Sequence, residues 1–131
     1  MTVVGPPGTP APPASRQPEA VLDLLHYGTP APLGRAWRKA IYGQLGALET
    51  RDQAAAARAL MQRPYVDDAR VGIWGWSYGG FMTLNVLFQH PDIYRTGVAV
   101  SPVTHWALYD NVYTERFNGL ISENREGYDR G

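Results

Sequence analysis

The feature that most constrains this chain is Gly75-Trp76-Ser77-Tyr78-Gly79-Gly80, set directly after the apolar run Val71-Gly72-Ile73-Trp74. This order predicts a strand, a sharp turn carrying a serine, and then a helix. The turn would hold Ser77 in a strained backbone conformation. Gly75 and Gly79 lack side chains, so strand and helix can pass close together on either side. The hydroxyl would project from the top of a sheet. A helix starting at Tyr78 would turn its free N–H groups toward developing negative charge. The next segment, Phe81-Met82-Thr83-Leu84-Asn85-Val86-Leu87-Phe88, has apolar residues almost all round a helix, the pattern of a helix packed under a sheet. Pro91 stops it.

Composition narrows the alternatives. A length of 131 residues suits one small domain. Lys plus Arg and Asp plus Glu are both 12, so the formal net charge is zero. No basic block suggests nucleic acid or an anionic membrane as partner. Without cysteine, neither a disulfide nor a thiolate metal site can form. No apolar run approaches the roughly 18 residues of a membrane span. The first residues lack the basic start and apolar core of a secretory signal. The default expectation for compartment is therefore the cytoplasm.

Residues 1–20 hold six of the eleven prolines and predict a disordered or extended lead. Val21 to Leu25 has the composition of a short strand, and Gly28 to Pro32 of a loop. Trp37, Ile41 and Leu45 have helical spacing, which predicts a helix from Arg35 to Leu45. Thr50-Arg51-Asp52-Gln53 fits a capping box opening a helix that runs to about Gln62. Asp67 to Arg70 reads as a turn, and Thr96 to Val100 as a second buried strand.

The serine motif in this setting resembles the nucleophile elbow of an α/β-hydrolase. Its flanks make the resemblance specific. Gly34-Arg35-Ala36-Trp37-Arg38-Lys39-Ala40-Ile41-Tyr42-Gly43-Gln44-Leu45-Gly46 precedes it. After it come His90-Pro91-Asp92, Ser101-Pro102-Val103-Thr104-His105-Trp106 and Tyr109-Asp110-Asn111-Val112-Tyr113-Thr114-Glu115-Arg116-Phe117. Together these look like the catalytic domain of the prolyl oligopeptidase family, in its dipeptidyl peptidase IV branch. The resemblance covers about Gly28 to Leu120. It implies an α/β fold class, here a partial α/β-hydrolase: the central part of the catalytic sheet, with the elbow. Residues 1–27 would be a Pro-rich lead and 28–131 a partial catalytic domain. Relatives carry Asp-x-Arg where this chain has Leu25-His26-Tyr27. A lead of other origin, such as a frameshift or a misassigned start, is the expectation there. The family's β-propeller and the rest of its catalytic domain lie outside the resemblance.

The resemblance also assigns roles. Ser77 would be the nucleophile and needs a general base with an orienting carboxylate behind it. In this fold the order is Ser, Asp, His, with family spacings on the order of 80 and 110 residues after the serine, beyond Gly131. His26 and His105 do not follow a suitable acid in that order. His90 reads as a helix C-terminal residue. Asp92 falls in a loop and Asp110 within the pocket motif. Tyr78 would give its backbone N–H to the oxyanion hole. Tyr27-Gly28-Thr29-Pro30 only superficially mimics the loop that carries the family's second donor. Val103, Trp106, Tyr109 and Tyr113 match the positions that shape a pocket for penultimate proline or alanine, although an aromatic cluster also suits plain core packing. Arg116 with Glu115 suits either a hold on substrate backbone or a structural ion pair, with the ion pair the favoured reading. The implied partner is a peptide with Pro or Ala at the penultimate position. No cofactor or metal is implied, and neither nucleic acid nor membrane is expected. Two readings follow: a serine peptidase represented by part of its catalytic domain, or a non-catalytic chain, either an inert truncated remnant or one that packs with another polypeptide.

Overall fold

The computed structural model describes residues 39–131 together with Thr2–Val3, Ala20–Val21 and residues 35–36. Its centre is a strand–helix–strand unit. Strand β3 (Gly72–Trp76) leads through Ser77 into helix α2 (Tyr78–Gln89), which returns to strand β4 (Thr96–Val100). β3 and β4 pair in parallel, Gly72 opposite Thr96 through Trp76 opposite Val100. Parallel pairing needs such a crossover, and α2 supplies it. Helix α1 (Ala47–Met61) precedes this unit, while α3 (Asn111–Asn118) and α4 (Arg125–Arg130) follow it. β1 (Thr2–Val3) and β2 (Ala20–Val21) form a separate antiparallel pair, Thr2 opposite Val21. The rest of the expected lead, residues 4–19, and the following residues 22–34 lie outside the described residues.

Two apolar clusters hold the unit together. Ala54 and Ala57 of α1 meet Val71, Ile73, Val86, Ile93 and Tyr94. The run of alanines lets α1 approach α2 closely. Ile41, Leu45, Phe81, Val103, Trp106 and Tyr128 form the second cluster, under the elbow.

The chain departs from its expected structure at several points. Of the helix expected over 35–45, only residues 35–36 are helical among the described residues, with the Lys39 amide donating to the Arg35 carbonyl at 3.1 Å. Turns follow, because Gly43 and Gly46 take φ of 81° and 89°. Ile41 and Leu45 are buried as their spacing implied; Trp37 lies outside the described residues. α1 starts at Ala47, ahead of the expected box at Thr50. The cap is Gly46, whose N–H donates to Oε2 of Glu49 at 3.1 Å. Thr50 is buried instead. β4 has the expected bounds but is not buried: Val98 and Val100 are 59% and 39% exposed. They share a face with Trp74 and Trp76, also exposed, and α2 covers only the opposite face. Phe88 likewise faces away from the core, at 78% exposure.

Candidate active site

Ser77 sits between β3 and α2 with φ 56° and ψ −114°. A non-glycine residue at positive φ is strained and persists only where its surroundings fix it. Here they do. The Ser77 amide donates to the Val100 carbonyl at 2.9 Å, and the Phe81 amide donates to the Ser77 carbonyl at 3.0 Å. Ser77 is exposed at the carboxyl end of the sheet. The glycines divide the work differently from the expectation. A Cβ on Gly75 would collide with the Gly79 backbone, and one on Gly80 would stand 2.8 Å from the Val100 carbonyl oxygen. A Cβ on Gly79 would meet nothing within 4 Å. The close approaches are therefore at Gly75 and Gly80.

Tyr78 opens α2, and its amide carries no hydrogen bond among the described residues. That is the normal state of the first N–H of a helix. It leaves an open donor beside Ser77. The Tyr78 hydroxyl donates to Oε1 of Glu49. Burial first, and then the Glu49 charge, push the Tyr78 phenol far above its usual range, so it stays a donor. Burial also raises Glu49, against the lowering effect of the Tyr78 hydrogen bond. Glu49 was not legible as part of a site. Its only sequence signal is its place three residues after Gly46, which reads as a helix cap.

The four candidate pocket residues come together around Trp106. Its ring stacks with Tyr113 at 6.1 Å and 10°, and meets Tyr109 edge-on at 6.1 Å and 84°. Tyr109 and Tyr113 are themselves edge-to-face at 5.5 Å. Tyr78 joins the same group, 5.9 Å from Trp106. Val103 and Trp106 are buried, at 8% and 1% exposure, while Tyr109 is 39% exposed and Tyr113 is half-buried. Trp106 and Val103 are thus covered, and the two tyrosines reach the surface. A short turn, Trp106–Leu108, and the cap of α3 set this arrangement. Oδ1 of Asp110 accepts from the Tyr113 amide at 2.8 Å, which makes Asp110 a helix cap.

The other polar candidates lie elsewhere. Nδ1 of His105 accepts from the Ala107 amide at 3.2 Å. In the neutral imidazole that places the proton on Nε2, so the free nitrogen is a donor and not a base. His90 caps the C-terminus of α2. No histidine hydrogen-bonds Ser77 among the described residues; His26 and Tyr27 to Pro30 lie outside them. Asp92 pairs with Arg58 at 3.0 Å on the surface. The expected Glu115–Arg116 pair is not formed among the described residues. Arg116 instead lies over the Phe117 ring, 5.7 Å from its centre, because neighbouring residues on a helix point apart.

Ser101 was not singled out from sequence. It has φ 45° and is the other non-glycine residue at positive φ among those described. It ends β4 beside the elbow, where the chain must turn sharply into the Pro102–Trp106 segment.

The comparisons agree with this geometry. The model of the prolyl oligopeptidase family matches residues 21–131. The Emericella nidulans protein described as "Probable dipeptidyl-aminopeptidase B" is 51% identical over 98 residues, 74% of this chain and 11% of that protein. Its namesake from Metarhizium robertsii is 50% identical over 98 residues, again 74% of this chain and 11% of the relative. The crystal structure of Porphyromonas gingivalis dipeptidyl peptidase 4 superposes with a TM-score of 0.71 at 54% identity, over 74% of this chain and 14% of that one. This chain thus spans only a small part of the length of the relatives it matches. With the α/β elbow and its flanks in place, the chain belongs to the prolyl oligopeptidase family and represents a partial catalytic domain of the dipeptidyl peptidase IV-like kind.

Proposed function

We propose that this chain carries the nucleophile, one oxyanion donor and the penultimate-residue pocket of a serine peptidase that releases N-terminal Xaa-Pro or Xaa-Ala dipeptides. The observation that carries the reading is Ser77 at φ 56°, exposed at the carboxyl end of β3 beside the unused Tyr78 N–H. In the reaction, Oγ of Ser77 adds to the carbonyl carbon of the penultimate residue. Its proton passes to a histidine supplied from outside the described residues, held by a carboxylate. The Tyr78 N–H bonds the oxyanion. Collapse breaks the peptide bond, and the protonated histidine gives its proton to the leaving amine. Water then hydrolyses the acyl-serine by the same route. Val103, Trp106, Tyr109 and Tyr113 offer flat apolar walls that suit a rigid pyrrolidine ring or a methyl group.

A second reading is favoured by the position of His105. With Nδ1 engaged and no described histidine on Ser77, the chain taken alone is catalytically inert and depends on another part of a peptidase domain. One experiment addresses both. Residues 47–118 replace the matching segment of the Porphyromonas gingivalis protein. The graft should release the chromophore from an Ala-Pro anilide, and Ser77→Ala should abolish release. A folded graft without activity, or one indifferent to Ser77→Ala, would exclude the nucleophile role.

A further inference from the structure

Glu49 is 4% exposed, and it forms no ion pair among the described residues. An interior carboxyl is expensive unless its oxygens are hydrogen-bonded. Here each oxygen has a donor: Gly46 N–H on Oε2 at 3.1 Å, and the Tyr78 hydroxyl on Oε1. The first bond explains a helix cap, but a cap needs no burial. The second reaches 29 residues along the chain to the residue next to Ser77.

Two parts of Tyr78 face the proposed chemistry. Its amide is the open donor beside Ser77, and its ring packs against both Phe81, at 5.4 Å, and Trp106, at 5.9 Å. The peptide between Ser77 and Tyr78 belongs to a strained turn. A tyrosine held only by ring packing could slide along the cluster. One held at its hydroxyl as well is fixed at both ends.

We propose that Glu49 is a positioning residue for the Ser77 site: from the first turn of α1 its carboxyl holds the Tyr78 hydroxyl, and so sets the Tyr78 amide beside Ser77 and the Tyr78 ring against Trp106. The inference rests on the proposed pocket and nucleophile. It adds that the start of α1 is part of the site's supporting structure, although nothing in its sequence looks catalytic.

The test uses the 131-residue chain labelled with 15N and with 13C at tyrosine rings. The probe is alanyl-pyrrolidide, a non-cleavable mimic of an Ala-Pro dipeptide, titrated while the Tyr78 amide and the Tyr109 and Tyr113 rings are observed. Glu49→Ala and Tyr78→Phe should each shift the position-78 amide and weaken probe affinity by about tenfold, the scale of one hydrogen bond. The double variant should be no weaker than either single one, because both remove the same bond. Glu49→Gln keeps a side chain of the same shape that can still bond the hydroxyl, and should restore most of the affinity. Should Glu49→Ala unfold the chain, Tyr78→Phe and Glu49→Gln still decide the matter. Full affinity in Tyr78→Phe, or losses in the two single variants that simply add, would overturn the positioning role and leave the pocket standing. A wild-type chain whose Tyr109 and Tyr113 rings ignore the probe would overturn the pocket, and the inference with it.

Discussion

The amide of Ser77 and the carbonyl of Val100 are joined by a hydrogen bond of 2.9 Å, which ties the strained turn to the end of the neighbouring strand. The same carbonyl leaves no room for a side chain on Gly80, just as the Gly79 backbone leaves none on Gly75. Overpacking at such points costs about 1–3 kcal/mol. Gly75→Ala and Gly80→Ala should therefore each lower unfolding stability by that amount. Gly79→Ala meets open space within a helix and should be neutral or stabilising by up to about 1 kcal/mol. Urea denaturation of the three variants checks the ranking. An equal loss at Gly79 would show that the motif's second glycine matters for a reason other than space.

Asn118 ends α3 at 1% exposure, and neither polar atom of its side chain has a hydrogen-bond partner among the described residues. Each such atom costs about 1–3 kcal/mol of desolvation. Asn118→Leu, close in shape and apolar, should raise stability by about 1 kcal/mol or more. Unchanged or lower stability would mean that the amide is satisfied in solution.

Glu49 also predicts a pH dependence. Its carboxyl is held above its ordinary 4.5 by burial, so the folded chain keeps a proton that the unfolded chain gives up. The stability tied to that proton is complete below 4.5 and is lost as pH rises from there through the folded value. Glu49→Gln does not titrate and should lose less stability over that rise. Asp92 works in the other direction, since Arg58 holds it below its ordinary 3.8, but its exposure keeps the effect small. Melting temperatures of wild type and Glu49→Gln across the acid range provide the check. Parallel curves would mean that Glu49 titrates normally.

The elbow was legible because its signals are local. Gly75 and Ser77 adjoin an apolar strand, and strained turns leave a glycine signature. The bounds of β4 were legible for the same reason. What sequence could not give depends on contacts distant in the chain. The Glu49–Tyr78 bond joins two helices, and position 49 taken alone is a plain capping residue. The start of α1 was misplaced because Thr50 looks like a cap, while the observed cap is a glycine at φ 89°. The exposure of β4 was missed because apolar residues normally signal burial, and only the packing shows which face of the sheet is covered.

That exposed face has a consequence in solution. Trp76, Val98 and Val100 are 70%, 59% and 39% exposed on one side of the sheet. Contiguous apolar surface of this kind drives association. The purified chain should self-associate with rising concentration, and Val98→Lys should shift it toward monomer without lowering helix content. Sedimentation velocity reads the first and circular dichroism the second. A wild-type chain that stays monomeric at every accessible concentration would contradict this.

The last prediction concerns catalysis by the chain alone. Ser77 has its turn and the Tyr78 N–H, yet no described histidine is in place to take its proton. Sites stripped of triad members retain about 10³–10⁴-fold acceleration over water, but that residual depends on a formed oxyanion hole and bound substrate. Losing one oxyanion donor typically removes about 3–4 kcal/mol more. The purified 131-residue chain should release no measurable chromophore from Gly-Pro or Ala-Pro anilides. A fluorophosphonate probe, which needs an activated hydroxyl, should leave Ser77 unlabelled. Labelling that vanishes in Ser77→Ala, with no other polypeptide added, would refute the inert reading. His105 would then be the first base to test, because releasing the Ala107 amide from Nδ1 would allow the proton to move there and free Nε2 to accept. His105→Ala should in that case abolish the labelling while leaving the fold intact.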